Sequence, residues 1–412
     1  MFKKNISNLN IDSLLLTNIS FTSLLFVSRL LIPFATYLYI LRQYDDDTVG
    51  LLIFYQTINI FFNYFINFGF DVYLTKVVSE TDKSQLSLNK LYLESFIIKL
   101  VLFLTILLTT LIFEFFGDNN WLLFVFVFAN IKDVILPRWY FWGKENFRDV
   151  SLIEIFYYLI ILIISLLFIS KESNAILVPF SHFFSSLVIG FTVFIVLKNK
   201  KIDFNFSRYD LNIYKLFKES LPFFISRISA IITENGAKIF IGNFLGLAAL
   251  FHFDIASKII SLAKAPNLIL DSILYPRAVK LKNKKFLNKW IQIKIVLAII
   301  ISVICWFLAK DLVAIISGEL NNETVKYVRW FLPVLVITSI SYFIGGSVLV
   351  ANNYEKIYNN SVNIGASISL IILTIFYFLN FNSLVFLIGL MLFIEFLVFI
   401  IRYVNCKKKN IL

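Results

Sequence analysis

Long apolar runs follow one another along this chain with only short polar breaks between them, and no other feature limits its fold so strongly. A bilayer core takes roughly 20 apolar residues per helix. Runs of that kind read as Leu14–Leu41, Val49–Leu74, Leu93–Phe116, Trp121–Trp142, Val150–Ile169 and Ile176–Leu197. After a polar stretch come Ser220–Asn243, Ala248–Tyr275, Ile291–Leu308, Phe331–Ala351, Ser361–Phe378 and Leu384–Tyr403. The chain is 59% hydrophobic and 16% charged, with a mean hydropathy of +0.82. A soluble domain must carry polar groups over its surface and cannot hide so much apolar area, whereas a lipid-facing protein has no such limit. The reading is therefore an all-α integral membrane protein of about twelve spanning helices. The first run is too long for a signal peptide and lacks a small-residue cleavage site, so it is read as the first span. Breaks fall at Asp45–Asp47, Gly117–Asn120, Lys171–Asn174 and Asn380–Ser383.

The net charge of +12 lies in short loops, as membrane topology requires, and not on a nucleic-acid-reading face. Lys and Arg gather in alternate connections: Lys3 and Lys4; Lys76, Lys83 and Lys90; Lys144 and Arg148; the stretches 198–218 and 277–289; Lys356; Arg402 and Lys407–Lys409. The intervening connections hold only Arg42, Lys171, Lys310, Lys326 and Arg329. The positive-inside rule then places both termini in the cytoplasm. The two cysteines, Cys305 and Cys406, form no disulfide framework and have no metal-ligand spacing. His182 and His252 lie far apart and match no catalytic motif. No enzyme activity, metal, cofactor or nucleic acid is expected.

The longest basic connection divides the chain into an N-terminal six-helix lobe (1–197), a basic cytoplasmic linker (198–218) and a C-terminal six-helix lobe (219–412). A short echo supports duplication: Phe26-Val27-Ser28-Arg29 in the first helix matches Phe224-Ile225-Ser226-Arg227 in the seventh. At the same offset Gln56 aligns with Asp254 and Asn63 with Ser261. Six helices per half is an even number, which makes the repeat parallel.

Charged residues inside the spans are costly and mark sites. Lys99, Lys132, Arg138 and Lys294 lie towards helix ends, where snorkelling to the interface is the simplest expectation. Arg29, Arg227, Lys258 and Lys264 lie deeper. At about 100° per residue, Asn18, Thr22, Arg29 and Thr36 share one face of the first helix, and Gln56, Asn59, Asn63 and Asn67 share one face of the second. In the seventh helix Arg227, Glu234 and Lys238 share a face. In the eighth, Asp254, Lys258, Ser261, Lys264 and Asp271 spread over a wider sector. Four polar faces, two from each half, are expected to line one basic cavity. The competing reading is helix–helix hydrogen bonding within a packed bundle.

The segment Pro137-Arg138-Trp139-Tyr140-Phe141-Trp142-Gly143-Lys144-Glu145-Asn146 resembles the proline, aromatic cluster, glycine and glutamate that end the fourth helix in Wzx-type O-antigen flippases. Asn67-Phe68-Gly69-Phe70-Asp71 is similar to that family's Asp-Phe-Gly-Phe segment, with Asn67 in place of the usual Asp. Val49-Gly50-Leu51-Leu52 with Gln56, and Gly242 with Ala256, Ser257 and Lys258, also fit. The resemblance covers almost the whole chain. It implies the multidrug/oligosaccharidyl-lipid/polysaccharide exporter (MOP, MATE-like) fold in the bacterial inner membrane. It also implies a cargo of undecaprenyl-diphosphate-linked glycan repeat units, an O-antigen or related surface polysaccharide. On that basis Arg29, Arg227, Lys238, Lys258 and Lys264 would meet the diphosphate, and Gln56, Asn59, Asn63 and Asn67 the sugar hydroxyls. Coupling to an ion gradient would fall to Asp254, Glu234 or Asp271. Membrane lipids, a polysaccharide polymerase and a chain-length regulator are the implied partners. A multidrug exporter of the same fold and a membrane glycosyltransferase or polymerase are the rivals. The first would want an acidic, apolar pocket. The second usually carries a large outer loop, whereas the longest outer connection here is Lys310–Trp330.

The topology carries a test. Cys introduced at Asn205 or Asn283 is predicted to resist an impermeant thiol reagent in intact cells and to react after permeabilisation. Labelling in intact cells would reverse the orientation.

Overall fold

The computed structural model describes residues 13–80, 84–117, 121–202, 210–381 and 383–412. Among them every apolar run is helical and no strand occurs. The helices are α1 (Ser13–Leu41), α2 (Asp46–Asn67), α3 (Phe70–Ser79), α4 (Gln85–Phe116), α5 (Leu122–Phe128), α6 (Ile131–Ile135), α7 (Arg138–Gly143), α8 (Phe147–Phe168), α9 (Leu177–Asn199), α10 (Ile213–Phe244), α11 (Leu247–Leu281), α12 (Lys284–Ser317), α13 (Asn322–Phe343), α14 (Glu355–Phe378) and α15 (Leu384–Lys408). A π-helical turn, Ile344–Leu349, continues α13.

Among the described residues eight helical segments are long and apolar enough to cross a membrane, by length and composition. The other runs read from the sequence are α1, the α5–α6–α7 segment, α10 and α11. Breaks at Asn130 and Pro137 divide the α5–α7 run. Helices α10 and α11, 32 and 35 residues long, carry charged residues along their length and so fall short in hydropathy. Side chains on the other eight face outward without polar cover: Phe116 is 89% exposed and Phe378 74%. That is tolerable only against lipid.

The connections are much shorter than hydropathy suggested. The expected outer connection Lys310–Trp330 is helical except for residues 318–321, and the basic stretch 277–289 is helical except for Lys282 and Asn283. Lys and Arg are good helix formers, so the end of an apolar run marks a change of solvent and not the end of a helix. True ends are set by caps. Asn283 accepts from the Lys285 and Phe286 amides, Asn321 from Thr324, and Ser84 from Ser87. Of Asn18 and Thr22, expected on the polar face of the first helix, only the backbone in α1 is described, and the loop lysines Lys3, Lys4 and Lys83 and the labelling position Asn205 lie outside the described residues.

Two compact units form. One comprises Met1–Gln43 and Asn59–Phe224; the other comprises Tyr44–Ile58 and Ile225–Leu412. In the first, α8 packs against α1 and α9, and α3 against α7. Its core joins Phe70, Leu74, Trp139, Phe141, Val150 and Val193. In the second, α13 is the central helix and touches α11, α12 and α15. Around its end, Phe343, Ile344 and Val348 pack with Leu274, Leu287 and Cys406. Cys305 and Cys406 are both buried free thiols.

Two glycines are required by geometry. Gly69 turns α2 into α3 with φ +72, a conformation that side chains with a Cβ disfavour. Gly143 lets α7 press against α3, where a Cβ would stand 2.7 Å from Val78 Cβ and Cγ1. Gly143→Ala is expected to destabilise by about 1–3 kcal/mol through overpacking. Gly389→Ala, where a Cβ would meet nothing within 4 Å, is expected to be neutral or to gain up to about 1 kcal/mol of helix propensity. Thermal unfolding of the detergent-solubilised protein distinguishes the two.

Candidate functional site

The first unit holds a buried network of charges and amides. It begins at Pro137, which cannot continue α6 and resets the chain into α7 one residue later. That reset delivers Arg138 into the bundle. Arg138 Nε donates to Glu154 Oε1 of α8 at 2.6 Å. Its Nη2 pairs with Asp133, and Nη1 lies 3.7 Å from Asp71 of α3. Arg29 of α1 reaches the same glutamate, Nε donating to Glu154 Oε2 at 2.6 Å. Lys132 Nζ lies 3.2 Å from the Asp133 carboxylate and 4.2 Å from the Tyr157 ring centroid. Lys99 Nζ donates to the Asp133 carbonyl at 3.0 Å.

The asparagine stripe of α2 completes it. Asn63 Nδ2 donates to Asn130 Oδ1 and to Asp133 Oδ2, both at 2.9 Å. Asn130 in turn donates to Asn59 at 2.7 Å, and Asn67 donates to Asn63 at 3.0 Å. Side chains from seven helices thus converge, and the carboxylates of Asp133 and Glu154 sit at the crossing points. Lys99, Lys132 and Arg138 do not snorkel, contrary to the expectation from their place in the sequence. Lys99 is 2% exposed and held by a backbone carbonyl, and the other two have carboxylate partners. The Arg29 side chain remains 39% exposed at the edge of the network. Gln56 is exposed and, among the described residues, takes no part in it.

The second unit organises its charges differently. Two neighbouring cavities, of 330 and 290 Å3, share Thr233, Glu234, Leu268, Tyr342 and Glu395 in their walls. Lys238 and Lys264 add positive charge to the smaller. Asp271 and Arg402 line the larger. Each cavity therefore carries both signs. Asp254 is buried beside them: Lys238 Nζ donates to its Oδ1 at 2.6 Å, and Lys258 lies 3.9 Å from its Oδ2. The i, i+4 spacing of Asp254 and Lys258 is thus a contact, but Lys238 from α10 is the nearer partner. Lys294 is fully buried, pairs with Asp271 and donates to the Asn267 carbonyl at 3.1 Å, so it does not snorkel either. Arg402 donates to Ser341 and Ser361, each at 2.9 Å, and is buried, although the basic tail had been read as a loop. Arg227 is exposed on α10, two turns from Glu234.

Sequence reading missed Glu154, Asp133, Asp71 and Glu395. The signal was present, since each is a lone acid in or beside an apolar run. Counting bases within spans without pairing them to acids overstated how basic the interior is. Among the described residues no cluster of three or more His, Cys, Asp or Glu suited to a metal occurs.

These helices form a multi-helix membrane-protein fold similar to that of solved members of the MOP superfamily. The same architecture recurs in the inward-facing conformation of a multidrug resistance MATE family transporter of the MOP superfamily (TM-score 0.72, 13% identity, 92% of this chain and 94% of that one). It recurs in the lipid II flippase MurJ, in an inward closed conformation (TM-score 0.71, 15% identity, 94% and 87%). A family model described as polysaccharide biosynthesis protein matches residues 15–282, and the chain belongs to that family. Two relatives named for O-antigen transport are similar over most of their length. The one from Escherichia coli (strain K12) is 21% identical over 366 residues, 86% of this chain and 88% of the relative. The one from Shigella dysenteriae is 22% identical over 361 residues, 86% and 91%.

The network predicts a graded response. Arg138→Ala takes one cation from both Asp133 and Glu154, which keep Lys132 and Arg29, and removes the guanidinium beside Asp71; it is expected to cost about 3–5 kcal/mol as the loss of a buried charge partner. Arg29→Ala is expected to cost much less, because Glu154 keeps Arg138 and Arg29 is partly solvated. Thermal unfolding of both variants in detergent is the measurement; equal losses would show that Arg29 holds the network as strongly as Arg138.

Proposed function

We propose that this chain is a flippase that carries undecaprenyl-diphosphate-linked oligosaccharide repeat units across the bacterial cytoplasmic membrane, driven by an ion gradient. Membership of the polysaccharide biosynthesis family carries this reading; the names of the two relatives and the MOP fold agree with it. In this reading the chain forms two six-helix lobes, residues 1–197 and 219–412, joined by the basic segment 198–218, with about twelve spans and both termini cytoplasmic.

The chemistry of the second unit suits such a cargo. Lys238 and Lys264 would bind the diphosphate, and Arg227 and Lys258 would extend the basic path. In the first unit Arg29 would offer a partly exposed guanidinium, while Asn59, Asn63 and Asn67 would meet sugar hydroxyls only by giving up their bonds to one another, Asn130 and Asp133; Gln56 is exposed and would offer its amide directly. Glu234 and Asp271 line the cavities and are the coupling candidates. Asp254 is held by two lysines, which makes it a poor proton acceptor and sets it behind them. Because both cavities carry mixed charge, the sign of the pocket does not separate a glycan carrier from a multidrug exporter, and the family match is what supports the glycan carrier.

Reconstitution tests the reading. Proteoliposomes loaded with an undecaprenyl-diphosphate-linked glycan are expected to show translocation that responds to an imposed ion gradient. Lys264→Ala removes one charge-assisted contact worth about 2 kcal/mol, which predicts a roughly 30-fold weaker apparent affinity. Lys264→Arg is expected to retain most of it. A chain that exports cationic dyes and leaves the lipid-linked glycan in place would carry the multidrug reading instead.

A further inference from the structure

A groove of 550 Å3 runs between α12 and α13 of the second unit. Trp306 and Phe307 line it from α12, and Leu332 and Pro333 from α13. Phe307 is 75% exposed, so the groove opens to the surface that faces lipid. Two polar atoms interrupt this apolar lining. Arg329 Nε and the Ser302 hydroxyl are buried and, among the described residues, have no hydrogen-bond partner. The guanidinium carbon lies over Trp306, 5.0 Å from the ring centroid, a cation–π contact that does not satisfy its N–H groups.

An unpaired buried donor on a permanent cation is costly, and an apolar acyl chain cannot relieve it. An acceptor must therefore arrive with the apolar ligand. Lys326, one turn earlier on α13, is exposed and adds positive charge at the same end of that helix. A guanidinium matches phosphate oxygens, and an anionic lipid brings no headgroup cation against Arg329 and Lys326, as a zwitterionic one does. We propose that the groove binds an anionic glycerophospholipid of the surrounding membrane. One acyl chain lies along Trp306, Phe307 and Pro333, the phosphate accepts from Arg329, and Ser302 supplies a second donor. The site is separate from the cavities assigned to cargo and does not depend on what that cargo is.

The full chain in nanodiscs, released for native mass spectrometry, tests this. Phosphatidylglycerol is expected to be retained in preference to phosphatidylcholine by roughly tenfold, because both phosphates can meet Arg329 but the choline cation is repelled by Arg329 and Lys326. Arg329→Gln is expected to abolish the preference. Val336→Phe, which fills the groove and leaves the charge untouched, is expected to lower retention of both lipids. Equal retention of the two lipids by the unaltered chain, or an unchanged preference in Arg329→Gln, would overturn the proposal. So would displacement of phosphatidylglycerol by undecaprenyl diphosphate at equal mole fraction, which would give the groove to the cargo.

Discussion

A charge buried among helices in lipid must be met by another charge, and the first unit is organised around that requirement. Arg138 is the centre. Pro137 ends one helix and begins another at the depth where Glu154, Asp133 and Asp71 can surround the guanidinium. Two of these carboxylates recruit further partners, Arg29 for Glu154 and Lys132 with Asn63 for Asp133. Removing one member leaves its partners uncompensated in a medium that cannot solvate them, whereas the complete set is tolerated. The close approach of α7 to α3 at Gly143 belongs to the same arrangement, because it brings Asp71 within reach of Arg138. The aromatic cluster that follows Arg138 buries Trp139 and Phe141 completely and holds the short helix in place.

The second unit spends its charges on cavities. Its acids and bases share walls without all being locked into pairs, and Glu234, Glu395 and Lys264 line one space together. This contrast bears on coupling. Were Lys258 to leave Asp254 for an anionic cargo, Lys238 would still hold the carboxylate at 2.6 Å, so Asp254 would not become bare. Among the described residues the two cavity glutamates, Glu234 and Glu395, have no ion-pair partner within 4 Å, whereas Asp254 and Asp271 each have at least one.

Much of this was legible in the sequence, for reasons that also mark where it stopped. Apolar runs announce helices because lipid allows no unpaired backbone, so each run of the chain is helical. Helix ends were not legible, since Lys284, Lys285 and Lys326 continue helices that hydropathy had already abandoned. The polar stripe Asn59, Asn63 and Asn67 was legible from periodicity, and those three side chains do share one network. Their partners were not, because Asn130 and Asp133 sit on a broken segment whose course no periodicity describes. Lys99, Lys132, Arg138 and Lys294 were read as interfacial from their place in the runs. Their burial depends on Asp133, Glu154 and Asp271, and a pairing across helices cannot be read along one of them.

The helices that fit a membrane least well are the informative ones. Helices α10 and α11 fall outside the eight segments apolar enough to cross by composition, and both line the two cavities through Thr233, Glu234 and Leu268. A helix that carries Arg227, Glu234 and Lys238, or Asp254, Lys258 and Lys264, cannot show those faces to acyl chains and must turn them towards other helices or water. Helix α13, at the centre of the same unit, is largely buried and solves the problem another way, with Thr338 and Ser339 donating to the carbonyls of Val334 and Leu335 one turn earlier. Poor hydropathy in an otherwise strongly apolar chain is therefore a positional signal. It picks out the helices that protein must cover, and in this unit those helices bound the cavities.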